Sequence, residues 1–114
     1  KVLAHPASVD SIPTSAGQED HVSMGNAAGL KAWQVLANAE RVLAIELLAG
    51  AQAVEFLAPL QPGKGVRATR EFVRSLSPRL PDDRPLAGDI EAVSAAVRDG
   101  SLVAAVESEV GELR

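Results

Sequence analysis

One stretch of this 114-residue chain concentrates groups that donate, accept or ionise: Val9-Asp10-Ser11-Ile12-Pro13-Thr14-Ser15-Ala16-Gly17-Gln18-Glu19-Asp20-His21-Val22-Ser23-Met24. Its carboxylates can accept hydrogen bonds or pair with a cation, and Gln18 and His21 can both donate and accept. Pro13 fixes its own φ and biases Ile12 to an extended form, and Gly17 frees the turn, so residues 11–17 read as a loop. Ser15 stands three residues before Gln18, the capping-box spacing, which predicts a helix beginning at Gln18. Glu19 and Asp20 then fall in a first helical turn, where the partial positive charge of the helix favours carboxylates. The expected arrangement is a polar loop that delivers Gln18, Glu19, Asp20 and His21 at a helix N-terminus.

Each of these residues has a structural reading beside its chemical one. Glu19 is either one more acid of a first turn or an active-site carboxylate, since loop-to-helix junctions project side chains into clefts. Gln18 serves as a capping partner or as an active-site amide, and His21 as a capping group or a support behind the site. A metal held by His5 and His21 with Asp10, Glu19 or Asp20 is not expected, because the separation is irregular and no His-x-x-x-His or Cys pair exists. Ser8, Ser11, Thr14, Ser15 and Ser23 lack a Gly-x-Ser-x-Gly elbow and read as loop hydrogen-bonding groups. Glu46 is the odd charge in an apolar segment and reads as part of a solvent-facing stripe. Arg41 lies outside the usual helical pair spacing from it.

The elements that must position this stretch are helical. From Gln18 onward, Val22, Leu30, Trp33, Leu36, Val42, Leu43, Ile45, Leu47, Leu48, Val54 and Leu57 recur mainly at three- and four-residue steps. The spacing predicts one long helix or two nearly collinear ones over residues 18–57, with Gly25 and Gly29 marking either a close helix contact or a break. Residues 42–51 are apolar apart from Glu46 and are expected to be buried on most sides. Pro59 and Gln61-Pro62-Gly63-Lys64-Gly65 end the element. A helix over 66–76 follows, with Val66, Thr69, Phe72, Val73 and Leu76 on one face and Arg67, Arg70 and Arg74 on a solvated one. Pro78, Pro81 and Pro85 make 77–86 a connector. A further helix starts near Asp89, turns Ile90, Val93 and Val97 inward and stops at Gly100, and Ser101 is placed to cap a last short helix bearing Leu102, Val103, Val106 and Val110. The fold class is therefore all-α. The chain reads as a single partial domain: a loop over 1–17, a long helical segment over 18–57, and a C-terminal helical region over 58–114.

Composition bounds the function. A hydrophobic content of 46% fits a globular domain, and a net charge of −4 without any basic run argues against a nucleic-acid binder. The absence of Cys removes disulfides and thiolate metal sites and accords with a reducing, cytoplasmic setting. No uncharged apolar run approaches the roughly 18 residues of a membrane span, and no signal peptide opens the sequence. The first residue is Lys1 rather than Met, as in a processed or truncated product.

Ser-Val-Asp-Ser-Ile-Pro-Thr-Ser-x-x-Gln-Glu-Asp-His-Val-Ser-Met, followed by Arg41-Val42-Leu43-Ala44-Ile45-Glu46 and by Asp89-Ile90-Glu91-Ala92, resembles the C-terminal part of the histidine ammonia-lyase family. The resemblance implies a larger helical-bundle lyase that converts L-histidine to urocanate and ammonia and assembles as a homotetramer. It implies that Glu19, in the Gln-Glu-Asp-His motif, handles the substrate, with Gln18 and His21 beside it. A carboxylate suits an imidazole substrate, because it accepts the ring N–H or pairs with the imidazolium. Related lyases for phenylalanine and tyrosine carry Gln at that position. The family's electrophile, a methylidene-imidazolone, is made from Ala-Ser-Gly, and its acid–base groups include tyrosines. This chain contains neither Ala-Ser-Gly nor Tyr, so the resemblance implies that it is inactive alone. The family usually has Asn where Gly17 stands. The alternatives are a phenylalanine or tyrosine lyase or aminomutase relative, and a non-catalytic helical assembly module.

Overall fold

A computed structural model of the chain describes residues 1–9 and 11–113, with Ser8 defined by its backbone only. The described residues are all-α: helices α1 (Gly25–Glu55), α2 (Lys64–Leu76), α3 (Ala87–Arg98) and α4 (Ser101–Val110), preceded by short 3-10 turns at Ala7–Val9 and Ser15–Gly17. They divide into two compact units, Lys1–Ala39 and Glu40–Arg114, and α1 contributes to both.

The long helix begins at Gly25, not at Gln18. The reason lies in the backbone acceptors. A helix through residues 18–24 would need the carbonyls of Glu19, Asp20 and Val22 for N–H groups four residues on. Instead the Glu19 carbonyl accepts the Thr14 N–H at 2.7 Å, and the Ser11 hydroxyl lies 3.1 Å and 3.5 Å from the Asp20 and Val22 carbonyls. Local side-chain and backbone bonds of this kind compete with helix formation, and here the loop takes the acceptors first. At the start of α1 the Ser23 hydroxyl accepts the Gly25 N–H at 3.3 Å, and the Met24 carbonyl accepts the Ala28 N–H at 2.9 Å. Neither Gly25 nor Gly29 interrupts the helix.

In the second unit, the core is small. Ala44 and Ala51 of α1, Val73 of α2 and Val93 of α3 form a buried cluster, flanked by half-buried Leu47, Leu48 and Ile90. Alanines one heptad apart let the neighbouring helices approach α1 closely. Among the described residues of this unit, the face of α1 that carries Ala44 and Ala51 is the covered one. Val42, Leu43 and Ile45 are 62%, 48% and 50% exposed, so the expected burial of 42–51 on most sides does not hold within this chain. Glu46 is exposed, as a solvent-facing stripe predicts. Arg41 pairs at 3.2 Å with Glu91 of α3, and Arg98 of α3 returns to Glu40 of α1 at 2.7 Å.

Helix α2 ends where Ser77 turns extended (φ −140°, ψ 119°) before Pro78, the conformation a residue preceding proline prefers. Arg74, expected on a solvated face with Arg67 and Arg70, instead turns inward. Its Nε and one terminal nitrogen grip both oxygens of Glu55 at 2.7 Å and 3.2 Å; the same nitrogen reaches Gln52 Oε1 at 2.9 Å, and the other reaches the Ser77 and Pro78 carbonyls at 3.4 Å. Its side chain is only 17% exposed and that of Glu55 19%. Gln52 in turn accepts the Leu80 N–H at 3.2 Å, so one guanidinium fastens the end of α1, the end of α2 and the connector. At the other end of that connector, Arg84 holds Asp89 of α3 through two bonds, at 2.6 Å and 2.8 Å.

The turn between α3 and α4 uses Gly100 in a left-handed conformation (φ 78°), the usual glycine role after a helix. The cap on α4 comes from Asp99, whose carboxylate accepts the Ser101 N–H at 2.9 Å, and not from Ser101. Ser94 is fully buried, and its hydroxyl has no hydrogen-bond partner among the described residues.

Replacing Arg74 by Lys removes the planar fork while keeping the charge, and it should destabilise the chain by about 2–3 kcal/mol, read as a lower urea midpoint. A second expectation concerns pH. The Arg74 guanidinium lowers the Glu55 carboxyl below its ordinary range, and the Arg84 guanidinium, with the Ser77 hydroxyl second, holds Asp89 well below its own. Folded-state values below the unfolded ones mean that the unfolded chain binds more protons in acid. The stabilisation is complete above about pH 5 and is lost as pH falls through about 4 and below, which acid titration of the far-ultraviolet circular dichroism should follow.

Candidate functional site

The segment that holds Glu19 is a closed loop. At its base Ser11 clasps residues 20–22: its hydroxyl accepts the Val22 N–H at 3.0 Å and bonds the Asp20 carbonyl at 3.1 Å. In the middle, Thr14 and Glu19 form an antiparallel bridge, with Thr14 N–H to Glu19 carbonyl at 2.7 Å and Glu19 N–H to Thr14 carbonyl at 3.2 Å. At the tip, Ser15, Ala16 and Gly17 all have positive φ, at 52°, 57° and 83°. For Ser and Ala that conformation costs roughly 1–2 kcal/mol each. The bonds beneath the tip hold it there.

Glu19 is gripped through its side chain as well. The Thr14 hydroxyl donates to Glu19 Oε2 at 2.8 Å, and the Ser15 hydroxyl lies 3.1 Å from the same oxygen. No bond to Oε1 is present among the described residues. Glu19, Asp20, His21, Val22 and Ser23 line a shallow concavity of about 340 Å³. Thus the structure brings Glu19 and His21 to one surface and leaves Gln18 off it. Gln18 forms no capping box; its N–H donates to the Ser15 carbonyl at 3.2 Å in the tip turn. Glu19 and Asp20 are not first-turn acids of α1, so the helix terminus does not account for them.

Asp10 lies outside the described residues, as does the Ser8 side chain. Among the described residues no group of three or more His, Cys, Asp or Glu gathers to hold a metal. The His5 carbonyl accepts a bond from Lys31 of α1. In the second unit a cleft of about 390 Å³ is lined mainly by Ile45, Leu48, Phe56, Leu80 and Ile90; of its polar residues, Gln52 and Arg74 are engaged with each other, and Ser77 is bonded through its carbonyl to Arg74 and through its hydroxyl to the Pro78 carbonyl. It offers shape without chemistry. The partners that residue-type reasoning missed are Thr14 and Ser15, which read as ordinary loop hydroxyls. Their placement just before a carboxylate across a proline-led, glycine-closed turn was the available signal.

The profile of the family described as aromatic amino acid lyase matches residues 1–75, and the chain belongs to that family. Among its relatives, a histidine ammonia-lyase of Natranaerobius thermophilus is 54% identical over this whole chain and 22% of that protein. One of Myxococcus xanthus is 59% identical over 95% of this chain and 21% of that protein. The crystal structure of histidine ammonia-lyase from Trypanosoma cruzi superposes with a TM-score of 0.84 at 44% identity, covering 95% of this chain and 21% of that one. Tyrosine aminomutase from Streptomyces globisporus gives 0.86 at 38% identity, covering 96% and 21%. The chain spans about a fifth of the length of the curated relatives it matches.

Gly17 fits the geometry of the tip. Its φ of 83° is a conformation that glycine adopts freely and that Asn tolerates better than most residues, so exchanging one for the other keeps the backbone while removing an amide. Space is open around it, so only φ restricts its replacement. Gly17→Asn should leave the loop intact, whereas Gly17→Val should cost about 1–2 kcal/mol locally. Hydrogen exchange at the Glu19 amide measures this directly, with faster exchange expected for the Val variant only.

Proposed function

We propose that this chain is the C-terminal part of a histidine ammonia-lyase, which eliminates ammonia from L-histidine to give urocanate. In the reaction the Cα–N bond breaks, a proton leaves Cβ and a carbon–carbon double bond forms, with no net oxidation. The observation that carries the reading is the Glu19 carboxylate, anchored through one oxygen and available through the other, in a chain 52–59% identical to proteins named histidine ammonia-lyase. Such a carboxylate accepts an imidazole N–H or pairs with the imidazolium and so places the substrate ring. His21, on the same concavity, and Gln18, behind the tip, are the supporting groups of this reading.

The chemistry that falls to this chain stops there. The family's methylidene-imidazolone supplies an electrophile, but with no Ala-Ser-Gly and no Tyr this chain cannot form it or the accompanying acid–base groups. The chain is therefore inactive alone, and its partners are the remainder of the lyase polypeptide and the other subunits of a homotetramer in the cytoplasm, with neither nucleic acid nor membrane involved. Exposed Val42, Leu43 and Ile45 on α1 are suited to that assembly. No described helix is long and apolar enough to cross a membrane.

The likeness to tyrosine aminomutase favours one second reading, a relative acting on an aromatic amino acid. Glu19 argues against it, because a carboxylate can form an ion pair with an imidazolium, which neither a phenyl nor a phenol ring can offer. In the intact enzyme Glu19→Gln should lower kcat/KM for histidine by about two orders of magnitude or more. The fold should be kept, since the amide oxygen still accepts the Thr14 and Ser15 hydroxyls. Unchanged kinetics would remove Glu19 from the site.

A further inference from the structure

We propose that Thr14 and Ser15 are positioning residues that select which oxygen of Glu19 meets the substrate. The inference rests on Glu19 being the group that receives the substrate ring. Both hydroxyls converge on Oε2, at 2.8 Å and 3.1 Å. A carboxylate has about four acceptor positions, two on each oxygen. Two donors on Oε2 occupy that oxygen and leave Oε1 as the acceptor. The backbone completes the restraint. Glu19 is paired with Thr14 through both its N–H and its carbonyl, so the residue that fixes the main chain also fixes the end of the side chain. A glutamate on an exposed loop otherwise samples many rotamers, and ordering it costs entropy. Here that ordering precedes substrate binding.

The arrangement also accounts for the strained tip. Ser15 reaches Oε2 from a left-handed backbone conformation (φ 52°), and an ordinary turn would need a different path to bring residues 14 and 15 over the carboxylate together. Non-glycine residues held in such conformations are kept only where surrounding bonds over-determine them, and they gather at functional sites. Three main-chain and side-chain bonds between Thr14 and Glu19, with a fourth from Ser15, are that surround.

The test uses the intact lyase polypeptide that carries these residues, with histidine as substrate. Thr14→Val with Ser15→Ala should lower kcat/KM by about tenfold to a hundredfold, the scale of losing a positioned polar contact. Thr14→Ser, which keeps the hydroxyl, should stay within about twofold of the parent. In a Glu19→Gln background the Val and Ala exchanges should lose most of their effect, because all three residues act through one carboxylate. Should Thr14→Val prevent folding, Ser15→Ala alone carries the same comparison. Parent-like rates for the Val and Ala variants, while Glu19→Gln is impaired, would overturn the positioning role and leave Glu19 in place. Equal losses for Thr14→Ser and Thr14→Val would assign Thr14 a packing role instead. An unimpaired Glu19→Gln enzyme would overturn the assignment of Glu19 itself.

Discussion

Thr14 and Glu19 are joined three times, through both backbone partners and through hydroxyl and carboxylate, and the organisation of the polar loop follows from that pairing. It takes the Glu19 carbonyl away from any helix, so α1 cannot begin before the loop has closed. It brings Ser15 over the carboxylate and forces the tip through three successive positive φ values. The loop thereby exchanges a conventional helix start, with acids in its first turn, for a carboxylate held from two sides and presented at the surface. Of the two arrangements, the second places both hydroxyls on one oxygen of Glu19.

The second unit depends on a different anchor. Arg74 collects Glu55, Gln52 and the carbonyls of Ser77 and Pro78, and it adds directed bonds to a buried cluster of alanine and valine flanked by half-buried Leu47, Leu48 and Ile90. With a core of such small side chains, hydrophobic burial alone gives a thin margin. A bidentate guanidinium that is only partly exposed gives direction as well as attraction, which small apolar residues do not. The uncovered apolar stripe of α1, with Val42, Leu43 and Ile45 exposed, adds little to that margin within this chain.

The helical class and the order of the helices are legible from the three- and four-residue apolar spacing, and the connector is legible from its prolines. The start of α1 is not. Ser15 and Gln18 have the spacing of a capping box, but the same hydroxyl has a better acceptor in Glu19, and capping rules do not weigh one local bond against a competing one. Arg74 misleads for a related reason: helical periodicity places it beside Arg67 and Arg70, while its destination is set by Glu55, distant in sequence. Burial of 42–51 fails because hydrophobic composition reports what a segment can bury, not which of its faces has a neighbour within this chain. At the site, Glu19 stands out through its resemblance to a known motif. Its hydroxyl partners do not, since Ser and Thr are common in loops for many reasons.

The central claim is that this chain gives a lyase its preference for an imidazole side chain. It is tested most directly by following urocanate absorbance at saturating L-histidine with the intact polypeptide, alongside L-tyrosine and L-phenylalanine under the same conditions. Urocanate from histidine, with little or no product from the other two, is the predicted result. Turnover of tyrosine or phenylalanine with histidine left untouched would contradict it.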